Sequence, residues 1–220
     1  MTRQRIARAL FAVTALAVLV GLIVQVQVSA GLKGTQFTST SSLVFNVFCY
    51  FTVQSNIIVG ATAALLAVRL DHPSTVFRVF RLAGLIAIAI TFVVFHLALA
   101  HLQDLRGAAA FADGLLHTVV PVLAVSGWLV FGPRRAISWR IAALAVLFPL
   151  CWVAFALVRG ALIDFYAYPF IDVRVLGYAR VLGNVVLIGL LFFALAAVAL
   201  TLDRRLPQVA PARSRVATSR

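Results

Sequence analysis

Six long apolar runs, separated by short polar segments, dominate the pattern of this chain. They cover residues 6–28, 43–68, 82–100, 114–131, 141–158 and 178–202. A helix needs about 20 mostly apolar residues to cross the hydrocarbon core of a bilayer. Backbone polar groups must be satisfied there without water, which favours helices, and the runs are too long and uniform for barrel strands. The pattern therefore predicts an all-α membrane protein, a bundle of six transmembrane helices.

Composition supports one membrane domain. The chain has 220 residues, of which 63% are hydrophobic and 11% charged, and a soluble domain of this size needs far less apolar surface. We expect this domain to span 1–206 and the basic, proline-bearing segment 207–220 to be a disordered cytoplasmic tail. The first run precedes a short small-residue segment typical of signal-peptide cleavage, but its apolar core is long, so we expect a retained signal anchor.

The basic residues are distributed unevenly between the two predicted sides. With loops taken alternately, one side carries Arg3, Arg5, Arg8, Arg69, Arg78, Arg81, Arg134, Arg135, Arg140, Arg204, Arg205, Arg213, Arg215 and Arg220. The other side carries only Lys33, Arg106, Arg159, Arg174 and Arg180. Because Lys and Arg accumulate on the cytoplasmic side, both termini are predicted to be cytoplasmic, in a multi-pass protein of the plasma (cytoplasmic) membrane.

The net charge of +13 therefore indicates topology and contact with anionic membrane lipids. No basic patch with base-reading residues indicates a nucleic-acid partner. The sequence also has no Walker loop and no GxGxxG motif, and both cysteines fall inside predicted spans, so we expect neither a cofactor nor a metal. No heptad series is present, and the sequence leaves the oligomeric state open.

Several polar side chains interrupt the apolar runs at a similar depth. Counted from the outer ends at the helical rise, all fall between the outer boundary and about the midplane, with Thr52 about 12 to 14 Å down. Four predicted helices contribute them. These residues are Thr52, Asn56, His96, His117 and Asn184. A histidine inside a membrane span is costly and marks a functional site by default, so the set predicts a polar cavity that opens outward.

Helix phase places part of this set on one stripe. At 100° per residue, Thr52, Ser55, Asn56 and Val59 share a face, whereas Gln54 points away from it. A lone Ser, Thr or Asn in a membrane helix commonly bonds its own carbonyls or a neighbouring helix. The stripe is therefore a candidate site chiefly because histidines lie at the same depth.

The fourth run also has candidate residues on one helix face, at four-residue steps. Asp113, His117 and Pro121 share one face. Asp113 can accept the imidazole N–H one turn away, or it can simply cap the helix, and the cap is the commoner role. Pro121 is expected to kink the helix one turn below His117.

This combination fits acyl transfer. A threonine hydroxyl becomes a useful nucleophile once a base takes its proton, and neutral imidazole is the natural base near pH 7. Thr52 is then the candidate nucleophile and His117 the candidate base, with Ser55 or Asn56 as donors to an oxyanion. Three other interpretations stay open: a weak two-histidine metal site, a proton relay or transport site without an expected buried carboxylate, and simple helix association.

Three segments resemble a known family. They are YFTVQSN (50–56), GLLHTVVPVL (114–123), and CWV followed by YPFID (151–153 and 168–172). In order and spacing they are similar to the androgen-induced-gene and androgen-dependent-TFPI-regulating protein family and its bacterial six-helix membrane relatives. The likeness covers roughly residues 45–195.

The resemblance implies a function. Animal members of the family are multi-pass hydrolases of fatty acid esters of hydroxy fatty acids that depend on one Thr and one His, which fall on Thr52 and His117. We therefore expect a hydrolase of lipid esters. The alternative is a non-catalytic lipid-binding or transport protein with the same cavity.

The remaining candidate residues complete the expected cavity. Arg159 is expected to hold a lipid carboxylate or phosphate, and Tyr168 to wall the entrance. The expected lining is Thr52, Ser55, Asn56, His96, His117 and Asn184.

Overall fold

Six helices long and apolar enough to cross a membrane account for most of the chain. The structure is a computed structural model that describes residues 2–102 and 104–207, and no strand occurs among these residues. The helices are α1 (Arg3–Ala30), α2 (Thr40–Phe48), α3 (Phe51–Val68), α4 (Thr75–Val94), α5 (Gly107–Gly114), α6 (Val120–Phe131), α7 (Trp139–Ala145), α8 (Leu147–Ile163) and α9 (Val173–Arg205). The predicted tail, 207–220, lies outside the described residues except for Pro207.

The outer surface of the bundle is apolar along the spanning helices. Large side chains such as Leu16, Leu65, Leu97, Val122 and Leu187 are exposed. A soluble protein rarely shows apolar surface on this scale, whereas lipid tails are a suitable solvent for it. The prediction of an all-helical fold with six helices long and apolar enough to cross a membrane is confirmed, and this surface fits a multi-pass membrane protein.

The prediction of a single helix over residues 43–68 is wrong. The structure divides it into α2 and α3, with Cys49 and Tyr50 between them. Two carbonyls at the break receive side-chain donors: Trp152 Nε1 lies 3.0 Å from the Cys49 oxygen, and Gln54 Nε2 lies 3.1 Å from the Phe48 oxygen. A break inside a membrane bundle is tolerated because such donors replace the missing helical bonds.

Other boundaries shift by a few residues. The fourth span begins at Gly107 rather than 114, so the preceding outer loop is shorter than predicted and Asp113 lies inside a helix. In the last span, two helical segments meet at Gly177, whose φ of +72° is a conformation that favours glycine.

Two spanning helices contain a π-helical turn, over Phe95–Leu99 after α4 and over Leu115–Val119 between α5 and α6. In the second turn the Val120 N–H donates to the Leu115 oxygen, five residues back. Pro121 follows and has no N–H, so it cannot continue the ladder. The disturbance expected from Pro121 is therefore present as a π turn, a feature that often accompanies functional sites.

Helix α3 packs between α1 and α4, and glycine permits both approaches. A Cβ at Gly60 would lie 2.8 Å from Val18 Cγ1, and one at Gly84 would lie 2.7 Å from Ile58 Cγ2. Small residues let membrane helices come close enough for van der Waals packing to stabilise the pair.

We expect Gly60→Ala to lower the unfolding midpoint of the purified protein in detergent. Val18 is β-branched and stiff, so the new methyl group must displace α1, at about 1–3 kcal/mol. Alanine also favours helix by up to about 1 kcal/mol, which Gly183→Ala isolates because a Cβ there meets nothing within 4 Å. Equal midpoints for the two variants, measured by thermal unfolding, would contradict the packing role of Gly60.

Candidate active site

Thr52 lies in the first turn of α3, directly after the helix break. The whole predicted stripe, Thr52, Ser55, Asn56 and Val59, is buried, which confirms the face derived from helix phase. Backbone N–H groups in the first turn of a helix have no helical acceptor. The N–H of Thr52 instead lies 3.2 Å from the hydroxyl oxygen of Tyr168. The break thus places a threonine at the positive end of a helix dipole.

Thr52 and His117 are in contact, as their depths and motifs predicted. Thr52 Oγ1 lies 3.3 Å from His117 Nε2. On the other side of the imidazole, Nδ1 lies 2.9 Å from Asp113 Oδ1. The interpretation of Asp113 as a helix cap is wrong, because it lies near the end of α5, whose N-cap is Arg106. A hydroxyl, an imidazole and a carboxylate therefore form one continuous chain.

The direction of these hydrogen bonds follows from the carboxylate. An ionised Asp113 can only accept, so Nδ1 of His117 carries the proton. In a neutral imidazole Nε2 then accepts, and the Thr52 hydroxyl is the donor to it. Thr52 Oγ1 retains a free lone pair for the Tyr168 hydroxyl, whose oxygen lies 3.3 Å away. The arrangement orients the Thr52 proton towards the base.

Tyr168 completes this group from the loop between α8 and α9. From the sequence, Tyr168 is expected to wall the cavity entrance. In the structure it is 8% exposed and hydrogen-bonded to both the backbone and the side chain of Thr52. Burial raises the pKa of Tyr168 to about 12, so its hydroxyl remains a proton donor throughout the physiological range. No periodicity could reveal this contact, because the residue lies outside the helices.

Ser55 and Asn56 do not point at a substrate, contrary to their expected role as oxyanion donors. Ser55 Oγ donates to the Thr52 carbonyl at 2.9 Å, and Asn56 Nδ2 donates to the same carbonyl at 2.8 Å. Asn56 Nδ2 also lies 3.1 Å from the Leu116 oxygen. In the π register that oxygen would await the N–H that Pro121 lacks. Both side chains therefore hold the backbone around the site.

His96 faces away from the cavity in which it was expected. Its side chain is exposed, with Nδ1 at 2.8 Å from the Phe92 oxygen and Nε2 at 3.3 Å from Thr118 Oγ1. The Phe95 ring stacks on His117 with centroids 4.0 Å apart and has an edge contact with His96. His96 lies in the π turn over Phe95–Leu99, and it was expected in the cavity from its depth alone, which does not say which face of the helix it occupies.

Asn184 also lies outside the Thr52 group. Its Nδ2 donates to the Phe170 oxygen at 2.8 Å, and Phe170 stacks on Tyr168 with centroids 5.2 Å apart. Asn184 therefore positions the loop that carries Tyr168 and does not line the cavity.

Arg159 lies near the outer end of α8 but does not touch Thr52. Its Nη2 donates to Asn46 Oδ1 at 2.9 Å. The guanidinium carbon lies 5.7 Å and 5.6 Å from the ring centres of Phe37 and Phe165. Arg159 thus joins α8 to α2 and to the two connections that carry Phe37 and Phe165. One of its N–H groups is already bound to the side-chain amide of Asn46.

Thr52 lies between two cavities. The larger, about 870 Å³, reaches from Thr52, Asp113 and His117 to the connections near Leu32, Asp104 and Phe165. The smaller, about 120 Å³, is apolar and is walled by α4, α8 and α9. Both are lined by Thr52, Phe95, Leu99 and Tyr168. In the described ranges, no group of three or more His, Cys, Asp or Glu side chains could hold a metal ion.

The fold and the site together describe a helical, multi-pass membrane protein with a buried threonine bonded to histidine. Comparisons with protein-family models, with curated proteins and with solved structures found no match to this chain.

The Asn56–Leu116 bond can be tested by restoring the donor that Pro121 lacks. We expect Asn56→Leu to destabilise the protein by about 1–3 kcal/mol, because the Leu116 carbonyl loses its donor in a buried position. Adding Pro121→Ala supplies a backbone N–H and should recover part of that loss. The measurement is a double-mutant cycle on thermal unfolding in detergent. Strictly additive effects would show that the two residues do not serve one carbonyl.

Proposed function

We propose that this protein is an integral membrane hydrolase of lipid esters, with Thr52 as nucleophile and His117 as general base. The observation that carries the proposal is the chain of contacts from Thr52 Oγ1 to His117 Nε2, 3.3 Å, and from His117 Nδ1 to Asp113 Oδ1, 2.9 Å. It has the order of groups used by serine hydrolases, with threonine in place of serine. Asp113 fixes the tautomer that leaves Nε2 free to accept a proton.

The reaction proceeds through an acyl-enzyme. Thr52 Oγ1 attacks the ester carbonyl carbon while His117 Nε2 takes the hydroxyl proton. Collapse of the tetrahedral intermediate breaks the bond to the alcohol oxygen, which leaves with that proton. Water then attacks the acyl-threonine, His117 accepts and returns a proton, and the carboxylic acid leaves with the Thr52 hydroxyl restored.

Charge on the intermediate is stabilised by groups other than those expected from the sequence. The Tyr168 hydroxyl, whose oxygen lies 3.3 Å from Thr52 Oγ1, is the candidate donor to the oxyanion that forms on the ester carbonyl. It accepts the Thr52 N–H, which polarises its own O–H and strengthens it as a donor. The N-terminus of α3 adds a favourable field for a negative oxygen.

The two cavities favour an ester with apolar chains on both sides of the reacting carbon. With that carbon at Thr52, one chain enters the large cavity and the other starts in the small apolar one. A fatty acid ester of a hydroxy fatty acid has this form. The resemblance of the segments around Thr52, His117 and Tyr168 to the family that hydrolyses these esters supports the same substrate class, delivered from the surrounding membrane lipids.

The distribution of basic residues supports an orientation in the plasma membrane. Both termini are cytoplasmic, and the large cavity, which lies among the connections poor in Lys and Arg, opens towards the outer leaflet.

We expect Thr52→Ala and His117→Ala each to reduce hydrolysis of a hydroxy-fatty-acid ester by about a thousandfold or more, because nucleophile and base act as one unit. Asp113→Asn should also lower kcat, since an amide can present either its oxygen or its N–H to Nδ1 and so no longer fixes the tautomer of the imidazole. Fatty acid release by the purified protein in detergent measures all three.

Matched controls are available on the same elements. Thr62 is a buried threonine of α3 that bonds the Ile58 oxygen at 2.8 Å, and His101 is exposed in a loop. Thr62→Ala and His101→Ala should keep full activity. Activity retained in both Thr52→Ala and His117→Ala would reject the mechanism. A fluorophosphonate probe should label Thr52 covalently; reversible lipid binding without labelling or turnover would favour the lipid-binding alternative.

The orientation is tested by cysteine accessibility. After Cys49 and Cys151 are replaced by alanine, Lys33→Cys should react with a membrane-impermeant maleimide in intact cells. Arg69→Cys should react only after permeabilisation, because its loop is predicted to be cytoplasmic. The opposite labelling pattern would invert the topology.

A further inference from the structure

A second polar cluster lies at the end of the bundle opposite to Thr52. It surrounds a cavity of about 60 Å³. The lining includes three arginines, Arg78 and Arg81 from α4 and Arg134 from the connection between α6 and α7, together with His72 and Trp128. The proposed topology places this end on the cytoplasmic side. None of these residues takes part in the proposed ester hydrolysis.

The arginines carry buried donors that lack acceptors. Arg81 is 6% exposed and Arg134 7% exposed. Within residues 2–102 and 104–207, no hydrogen-bond partner is present for Nε and Nη2 of Arg81, Nε and Nη1 of Arg134, or Nε of Arg78. A buried, charged donor without an acceptor is expensive, and in native proteins such groups are nearly always satisfied. The guanidinium of arginine stays protonated in proteins, so the buried charge remains.

Protein carboxylates neutralise the cluster only in part: the charge of Asp203 acts on Arg134, but its Oδ1 forms no ion pair or hydrogen bond within residues 2–102 and 104–207. Of the ion pairs in 2–102 and 104–207, none involves these three arginines. Asp71 is the carboxylate on the cavity wall, and its side chain is exposed. Asp203 is fully buried, contrary to the expectation of no buried carboxylate, but its Oδ2 accepts the Ile137 N–H at 3.0 Å and it does not line the cavity.

Aromatic rings hold the guanidinium planes without using their donors. The Arg81 guanidinium carbon lies 5.4 Å from the Phe11 ring centre, and that of Arg134 lies 5.2 Å from the Trp128 ring centre. A ring face attracts the face of a guanidinium, whereas the N–H bonds lie in the guanidinium plane. Nη2 of Arg134 donates a hydrogen bond to the Leu129 carbonyl. Nε and Nη1 of Arg134 and Nε and Nη2 of Arg81 are buried and have no acceptor within the described residues.

We propose that this cavity is a binding site for a phosphate group. A tetrahedral oxyanion offers several acceptors to converging guanidinium groups and neutralises them at the same time. The cavity is about twice the volume that one water molecule occupies in the liquid, which suits a single phosphate group. That group comes either from an inner-leaflet phospholipid or from free phosphate, and the chemistry of recognition is the same for both.

The test is ligand-dependent thermal unfolding of the full-length protein in detergent. Phosphatidic acid is compared with diacylglycerol, which has the same chains without phosphate, and inorganic phosphate with chloride at equal ionic strength. We expect a phosphate-bearing probe to raise the midpoint by about 5 °C or more at saturation. Stabilisation by phosphatidic acid alone identifies a lipid ligand, whereas stabilisation by inorganic phosphate identifies a free anion. Stabilisation by neither, or equally by diacylglycerol or chloride, overturns the proposal.

Substitutions separate the site from general attraction to positive charge. Arg81→Gln should weaken binding of the effective probe by about tenfold or more, the loss of charged hydrogen bonds. Arg140→Gln removes the same charge from an exposed position on the same side and should leave binding unchanged. If Arg81→Gln does not fold, Arg78→Gln, at a half-buried residue, serves instead. An equal loss in the Arg140 variant would reduce the effect to non-specific attraction and reject the site.

Discussion

Every irregular turn of this backbone must be satisfied inside the protein, because lipid offers no hydrogen bonds. The structure obeys this constraint with side chains. Trp152 and Gln54 bond the carbonyls left free where α2 ends, and Asn56 bonds the carbonyl that Pro121 cannot serve. The same irregularities position the site: the break puts Thr52 in the first turn of a helix, and the π turn presents His117 to it. The irregular hydrogen bonding of these helices and the positions of Thr52 and His117 therefore have the same origin.

The sequence was informative where a property is local. Apolar run length located the six spans, and helix phase identified the buried stripe of Thr52, because both depend only on neighbouring residues. The helix break was missed because the donor from Trp152 comes from a distant part of the chain. His96 was expected in the cavity because depth alone does not say which face of a helix a residue occupies. Tyr168 was placed at the entrance because a loop has no periodicity from which its contacts can be derived.

The two ends of the bundle solve the burial of polar groups differently. Around Thr52 the side chains of Thr52, His117, Asp113 and Tyr168 pair with one another. Around Arg81 and Arg134 several buried donors have no acceptor within the described residues, which is the basis of the proposed phosphate site. In a low-dielectric environment the first arrangement suits the proposed reactive hydroxyl, whereas the second suits the proposed anion.

The bond between Trp152 and the Cys49 carbonyl also has a consequence for assembly. These residues are 103 positions apart, so α8 must enter the membrane before the bond can form. Until then, a continuous helix through Cys49 and Tyr50 satisfies more of the backbone than a broken one. The backbone around Thr52 therefore reaches its final arrangement only after the fifth span has inserted.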